Sequence, residues 1–169
     1  MHIDIYTDGG CSGNPGPGGW AFIILEILPK TEKLRFPMGE TFDGADKILL
    51  ERRGAETSTT NNRMEIQAAV EALGALRNEL KLKPAKTRVF TDSQYLQKGI
   101  SDWIHTWKRN GWRNSAREPV KNMDLWSLLD ELCNEFTTIE WHWVRGHSGN
   151  EYNERCDLMT QDAISSLTV

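Results

Sequence analysis

Thr87-Arg88-Val89-Phe90-Thr91-Asp92-Ser93 (residues 87–93) is a short β-branched and aromatic run that closes on an aspartate and a small residue. The chain starts in the same way: His2-Ile3-Asp4-Ile5-Tyr6-Thr7-Asp8-Gly9 sets Ile3, Ile5 and Thr7 on one side and His2, Asp4 and Tyr6 on the other. A period of two is that of a strand. If the two strands lie parallel and adjacent, Asp8 and Asp92 leave the sheet at one carboxyl edge, where open α/β sheets place their sites. Taken singly, each aspartate is explained as well by a turn that ends a strand.

Parallel neighbours need a crossover, and residues 62–80 supply a helix for it. Ile66, Ala69, Val70, Leu73, Leu76 and Leu80 form a stripe at helical spacing, and Pro84 closes the region. Upstream, Gly9 to Gly19 holds six glycines and two prolines in eleven residues and reads as a turn-rich connection. Trp20 to Leu28 reads as a second strand. Residues 29–58 are polar with scattered apolar positions, so a long loop is expected first and a third strand within 47–58.

Downstream, 93–100 and 102–110 read as two helices, the second stopped by Gly111. Pro119 can open another, with Leu125, Leu128, Leu129 and Leu132 inward. Thr138 to Val144 alternates again, with Ile139, Trp141 and Trp143 on one face. Residues 150–166 form a last helix. A strand meander followed by alternating helices and strands predicts an α/β fold with one mixed sheet.

At 169 residues the chain suits a single domain spanning 1–169. No run of 18 apolar residues occurs, so no membrane span is expected, and the N-terminus carries no secretory pattern. Cys11, Cys133 and Cys156 are odd in number and form no C-x-x-C pair, which fits a reducing cytoplasm better than a disulfide framework or a zinc site. A net charge of −4 argues against a protein that coats nucleic acid indiscriminately. It leaves room for a nucleic-acid enzyme with a local basic patch.

Two further acids stand in suggestive places. Glu65 follows Thr59-Thr60-Asn61-Asn62, and Asn62-x-x-Glu65 has capping-box spacing, which explains it without chemistry. Asp157 lies in the last helix within Asn153-Glu154-Arg155-Cys156-Asp157, where a solvated helix face is the simple reading. His147 sits in Arg145-Gly146-His147-Ser148-Gly149, a mobile-looking loop in which a lone histidine usually has no special role.

Thr7-Asp8-Gly9, Thr60-Asn61-Asn62-Arg63-Met64-Glu65, Thr91-Asp92-Ser93-Gln94, Gly146-His147 and Asn153-Glu154-Arg155-Cys156-Asp157, taken in order, resemble the signature blocks of type 1 ribonuclease H. Each block is weak alone; together they span residues 2 to about 165. The resemblance implies a ribonuclease H-like fold, with a five-stranded mixed sheet flanked by helices. It also implies an endonuclease that hydrolyses the RNA strand of an RNA–DNA hybrid. Asp8, Glu65, Asp92 and Asp157 would bind two Mg²⁺ ions, with Mn²⁺ possible in their place. Two ions about 4 Å apart suit phosphodiester hydrolysis, because one can activate the attacking water and the other can stabilise the leaving oxygen. Hard carboxylate oxygens suit Mg²⁺. By the same analogy Asp8 bridges both ions, Glu65 and Asp92 hold the ion on the water side, Asp157 holds the other, and His147 shuttles a proton as product leaves.

For the substrate, the resemblance places Gly9, Cys11, Asn14, Asn61, Asn62 and Gln94 at sugars and base edges in the minor groove, and Thr60 at a DNA-strand phosphate. Gly9-Gly10-Cys11-Ser12-Gly13-Asn14 lacks the G-x-x-x-x-G-K-[ST] pattern, so a Walker NTPase is rejected. Trp103 to Arg113 interleaves aromatic and basic residues, and the family's basic protrusion would place Trp103, Lys108, Arg109 and Arg113 on the DNA strand. The bland alternative is core packing for Trp103 and Trp107, which are i, i+4, and a solvated face for the cations. Residues 29–56 look longer than the family's second and third strands. The partner expected is an RNA–DNA hybrid, with no membrane, and the chain is expected to be a monomer. The competing readings are a DNA-acting nuclease of the same superfamily and a non-catalytic hybrid-binding module.

Overall fold

A computed structural model describes residues 1–28 and 46–168. The five-stranded sheet has the order β3-β2-β1-β4-β5. Strands β1 (His2–Cys11), β2 (Gly16–Glu26) and β3 (Lys47–Thr59) form an antiparallel meander. β4 (Lys86–Thr91) and β5 (Ile139–Trp143) add in parallel. The helices are α1 (Asn61–Asn78), α2 (Gln94–Lys98), α3 (Ile104–Arg109), α4 (Met123–Cys133) and α5 (Glu151–Ser165). The α/β fold with a mixed sheet expected from the sequence is the one observed.

One sheet face carries the larger core. Ile3 and Ile5 of β1, Phe22 and Ile24 of β2 and Val89 of β4 pack there against the stripe of α1 and against Trp126 of α4. On the other face α5 lies over the meander, and Cys156 packs with Ile23 and Leu25. Burial of these side chains at roughly 25 cal/mol per Å² of apolar surface is what holds the layers together. Among the described residues no helix is long and apolar enough to cross a membrane, and the three cysteines are free.

The glycine-rich stretch is not a loop. β1 runs on to Cys11 and β2 begins at Gly16, with Gly9↔Trp20, Gly10↔Gly19 and Cys11↔Gly18 paired across the ribbon. Tertiary packing overrides the local turn signal here. A β-carbon on Gly9 would strike the α1 backbone at Met64 and Glu65, and one on Gly19 would lie 3.0 Å from the Thr160 carbonyl oxygen of α5. The glycines let both helices lie almost on the strands.

The segments expected as two helices, 93–100 and 102–110, form one path, because a π-helical turn (Gly99–Trp103) joins α2 to α3. Gly99 is needed at that turn, since a β-carbon would overlap the Trp126 indole. Gly111, at φ 66°, ends α3 as expected.

Pro119 does not open α4, which starts at Met123 after Asn122 in the left-handed region, φ 62°. Leu125, Leu129 and Leu132 face inward, but Leu128 is 42% exposed. The fully buried Trp126 turns the inward face away from it. On β5, Ile139 and Trp141 pack against the core while Trp143, at the strand end, is 45% exposed. The third strand occupies all of 47–59, and the expected long loop at 29–46 falls almost wholly outside the described residues.

Candidate active site

β1 and β4 are in register through Thr7↔Thr91, so Asp8 and Asp92 follow one another off the same edge. β4 stops there, while β1 continues to Cys11 along β2. Glu65 reaches this edge from the first turns of α1, which Gly9 allows to settle against β1. The N-cap of α1 is Thr60, whose hydroxyl accepts the Arg63 N–H at 3.3 Å. The Asn62–Glu65 capping box is therefore not formed, and Glu65 is turned to another use. One oxygen each from Asp8, Glu65 and Asp92 lie within 4.8 Å of one another.

The electrostatics of this cluster are those of carboxylates short of positive charge. Burial, helped by the charges of Asp92 and Asp157, pushes Asp8 up to about 7, against the lowering effect of the Thr160 hydroxyl and the Gly9 N–H. Burial and then Asp8 and Asp92 hold Glu65 well above the usual carboxylate range. Asp92 is raised by burial and by Asp157, with His147 acting in the opposite direction. Glu65 Oε2 is buried and has no hydrogen-bond partner. A buried carboxylate oxygen without a donor, in a cluster of hard oxygen ligands, fits a small divalent cation.

Asp157 is half-buried on α5 and acts on Asp8 and Asp92 through its charge. It stands outside the tight group of three. His147 is exposed, at φ 54°, in the loop between β5 and α5. Two supports of Asp92 escaped the sequence reading. The Trp143 indole N–H donates to its carbonyl oxygen at 3.0 Å. An Asp92 carboxylate oxygen lies 3.0 Å from where a Gly146 β-carbon would be. The Gly-His pair was a visible signal for the second, and nothing in the sequence marked the first.

The residues expected at the minor groove are partly joined. The Cys11 N–H donates to Asn61 Oδ1 at 2.7 Å, and the Asn61 N–H donates to Asn14 Oδ1 at 3.1 Å. This ties the β1–β2 turn to the start of α1. Asn62 and Gln94 are exposed on the first turns of α1 and α2. Gly9 has a packing role, and the Thr60 hydroxyl caps α1.

In the protrusion the Trp103 and Trp107 rings are 6.0 Å apart, and Trp107 also meets Trp126. Lys108 is engaged by Asp130 at 3.0 Å. Arg113 donates to the Arg117 carbonyl at 2.8 Å, and Arg109 makes a long contact, 3.4 Å, with Thr106 Oγ1. A network not foreseen links the two sides of the site. Arg63 is forked onto Asp124 at 2.7 and 3.0 Å and touches Asn122 Oδ1 at 3.3 Å; Asn122 in turn donates to the Tyr95 hydroxyl at 3.0 Å.

Comparison with known proteins supplies the context for this geometry. The ribonuclease H family pattern matches residues 1–165. The ribonuclease H of Chromobacterium violaceum is 47% identical over 165 residues, covering 98% of this chain and 96% of its own. That of Legionella pneumophila is 45% identical over 168 residues, covering 99% of this chain and all of its own. Among solved structures, LC9-RNase H1, a type 1 enzyme with the type 2 active-site motif, superposes with a TM-score of 0.80 at 27% identity, over 98% of this chain and 72% of that one. LC11-RNase H1, solved in complex with an RNA/DNA hybrid, shares the fold with a TM-score of 0.69 at 23% identity, over 99% of both chains.

Proposed function

This chain belongs to the type 1 ribonuclease H family, and from that membership we propose a division of labour among its site residues. The protein is a ribonuclease H, an endonuclease that hydrolyses the RNA strand of RNA–DNA hybrids. The observation that carries the catalytic reading is the group formed by Asp8, Glu65 and Asp92, with Glu65 Oε2 buried and unpartnered.

Asp8, Glu65, Asp92 and Asp157 would hold divalent cations, Mg²⁺ in the first instance or Mn²⁺ in its place. Asp8 would be common to two such ions, Glu65 and Asp92 would serve one and Asp157 would serve the other. When bound, a pair of such ions supplies an activated water and stabilises the charge on the leaving oxygen. The protein's own part is to hold the carboxylates rigidly. Gly9 admits α1, and Trp143 fixes the backbone at Asp92. His147, in its exposed loop, takes and returns a proton as product departs.

Selectivity for RNA comes from the 2′-hydroxyls that an RNA strand displays in its wide minor groove. The bridged Cys11, Asn14 and Asn61, with Gly9, Asn62 and Gln94, face the sugars and base edges, and Thr60 meets a phosphate of the DNA strand. Trp103, Lys108, Arg109 and Arg113 grip that strand farther along. The whole chain acts as one domain, as a monomer, in the cytoplasm.

The test is cleavage of labelled RNA–DNA, DNA–DNA and RNA–RNA duplexes with Mg²⁺, Mn²⁺ or chelator. Cutting of the hybrid's RNA strand with metal, and none with chelator, is the expected result. Hybrid binding without cleavage leaves a binding module, and cutting of the DNA duplex makes the protein a DNA nuclease.

A further inference from the structure

A groove of about 460 Å³ runs along α3 into the loop after it, lined among others by Asp102, Trp103, Trp107, Asn110, Arg113 and Ser115. Its outer wall is well built: Asn114 Oδ1 accepts the N–H groups of Ala116 and Glu118 at 2.9 and 3.0 Å, and the Asn114 N–H donates to the Glu118 carbonyl at 2.9 Å. Aromatic rings beside neutral hydrogen-bonding groups suit a sugar–phosphate strand. The charge does not. Among the described residues the ionisable groups lining the groove are Asp102 and Arg113, whose formal charges cancel; of the neighbouring cations Lys108 is paired with Asp130, and Arg109 makes only a long contact with Thr106. Asp102 has no cation partner among the described residues. Its fold role is slight: it is exposed, and its backbone oxygen accepts the Ile104 N–H, which any residue could do.

We propose that Asp102 tunes substrate affinity by repulsion: it weakens the hold of this groove on the DNA strand of the hybrid, by an amount that salt screens away. The inference rests on the ribonuclease H reading. A carboxylate and a phosphate across roughly 7 Å of water repel each other by enough to change an equilibrium about threefold. At 0.1 M salt the screening length is about 10 Å, so the repulsion survives; near 1 M it is about 3 Å and the repulsion is lost.

The experiment measures KM for hybrid cleavage with Mg²⁺, and Kd for the same fluorescent hybrid in chelator, for the parent and the Asp102→Asn and Asp102→Lys variants. Glu26→Gln is the control; it removes the same charge where β2 pairs with Ile3, at the opposite end of the sheet from Asp8. At about 0.05 M salt, where screening leaves roughly half of the repulsion energy, Asp102→Asn should lower both constants about twofold and Asp102→Lys about fourfold, with the gain gone near 1 M. Glu26→Gln should leave both constants unchanged. Constants that stay put in both Asp102 variants overturn the proposal, as does an equal gain in Glu26→Gln, which would make the effect one of net charge. A parent that binds the hybrid without cutting it refutes the catalytic reading instead, and the Kd comparison still decides the role of Asp102.

Discussion

Gly9 and Glu65 lie so close that a β-carbon on the glycine would stand 2.5 Å from the Glu65 backbone nitrogen. The contact is backbone against backbone, so no side chain can swing away to relieve it. Gly9→Ala should push α1 off β1 and carry Glu65 out of the cluster. Overpacking of this kind costs about 1–3 kcal/mol, which for a chain of this size lowers Tm by several degrees at about 2–4 °C per kcal/mol. Activity should fall far more than stability. Thermal melts beside hybrid-cleavage rates check this, and wild-type turnover in the variant would show that α1 has room to spare.

Asp8→Asn should nearly abolish cleavage while hybrid binding stays measurable, because an oxygen of the residue lies within 4.8 Å of one each from Glu65 and Asp92 and the residue is proposed to be shared by both ions. Rates and binding isotherms on the same hybrid separate the two effects. Substantial Mg²⁺-dependent activity in this variant would sink the four-carboxylate assignment.

The same residue governs stability. In the folded protein Asp8 keeps its proton up to about pH 7, whereas the ordinary carboxyl releases it near 3.8. Between those values the folded state binds more protons than the unfolded one, so stability falls as pH rises and the loss is complete above about pH 7. The ceiling on this loss is about 4 kcal/mol. In chelator the parent should therefore melt lower at pH 8 than at pH 5. Asp8→Asn should flatten that slope and melt higher than the parent at pH 8. Mg²⁺ should stabilise the parent more than the variant, since a ligand stabilises the state that binds it. A variant that melts lower than the parent in chelator, with equal Mg²⁺ shifts in both, would mean the side chains do not act as one site.

His147→Ala should slow turnover and leave clear activity. The histidine is exposed in a loop and belongs to none of the hydrogen bonds that build the carboxylate cluster. Steady-state and single-turnover rates together locate the loss; complete inactivity in a folded variant would give the histidine a larger part than product departure.

The carboxylates were legible because each lies in a short block whose residue order is itself informative. Strand periodicity placed Asp8 and Asp92, and helical spacing placed α1 behind Glu65. What was not legible was set by contacts far apart in sequence. The glycines at 9, 10, 18 and 19 read locally as turns, yet all lie in strands: α1 presses on Gly9, α5 on Gly19, and Thr59 of β3 with Cys11 of β1 on Gly18. Leu128 fitted the apolar stripe of α4 until Trp126 claimed the inward position. The π-helical turn depends on Gly99 meeting that same indole. The long loop expected ahead of the third strand falls, but for Asp46, outside the described residues.

The parallel pairing of β1 with β4 also has a temporal side. Asp8 precedes its partners along the chain: Glu65 arrives with α1, Asp92 at the end of β4 and Asp157 with α5. A ribosome-bound nascent chain therefore carries scattered carboxylates and no assembled centre. The centre is complete only once four separate stretches of the polypeptide have been made, and cleavage of a hybrid cannot begin before α5 has settled onto the sheet.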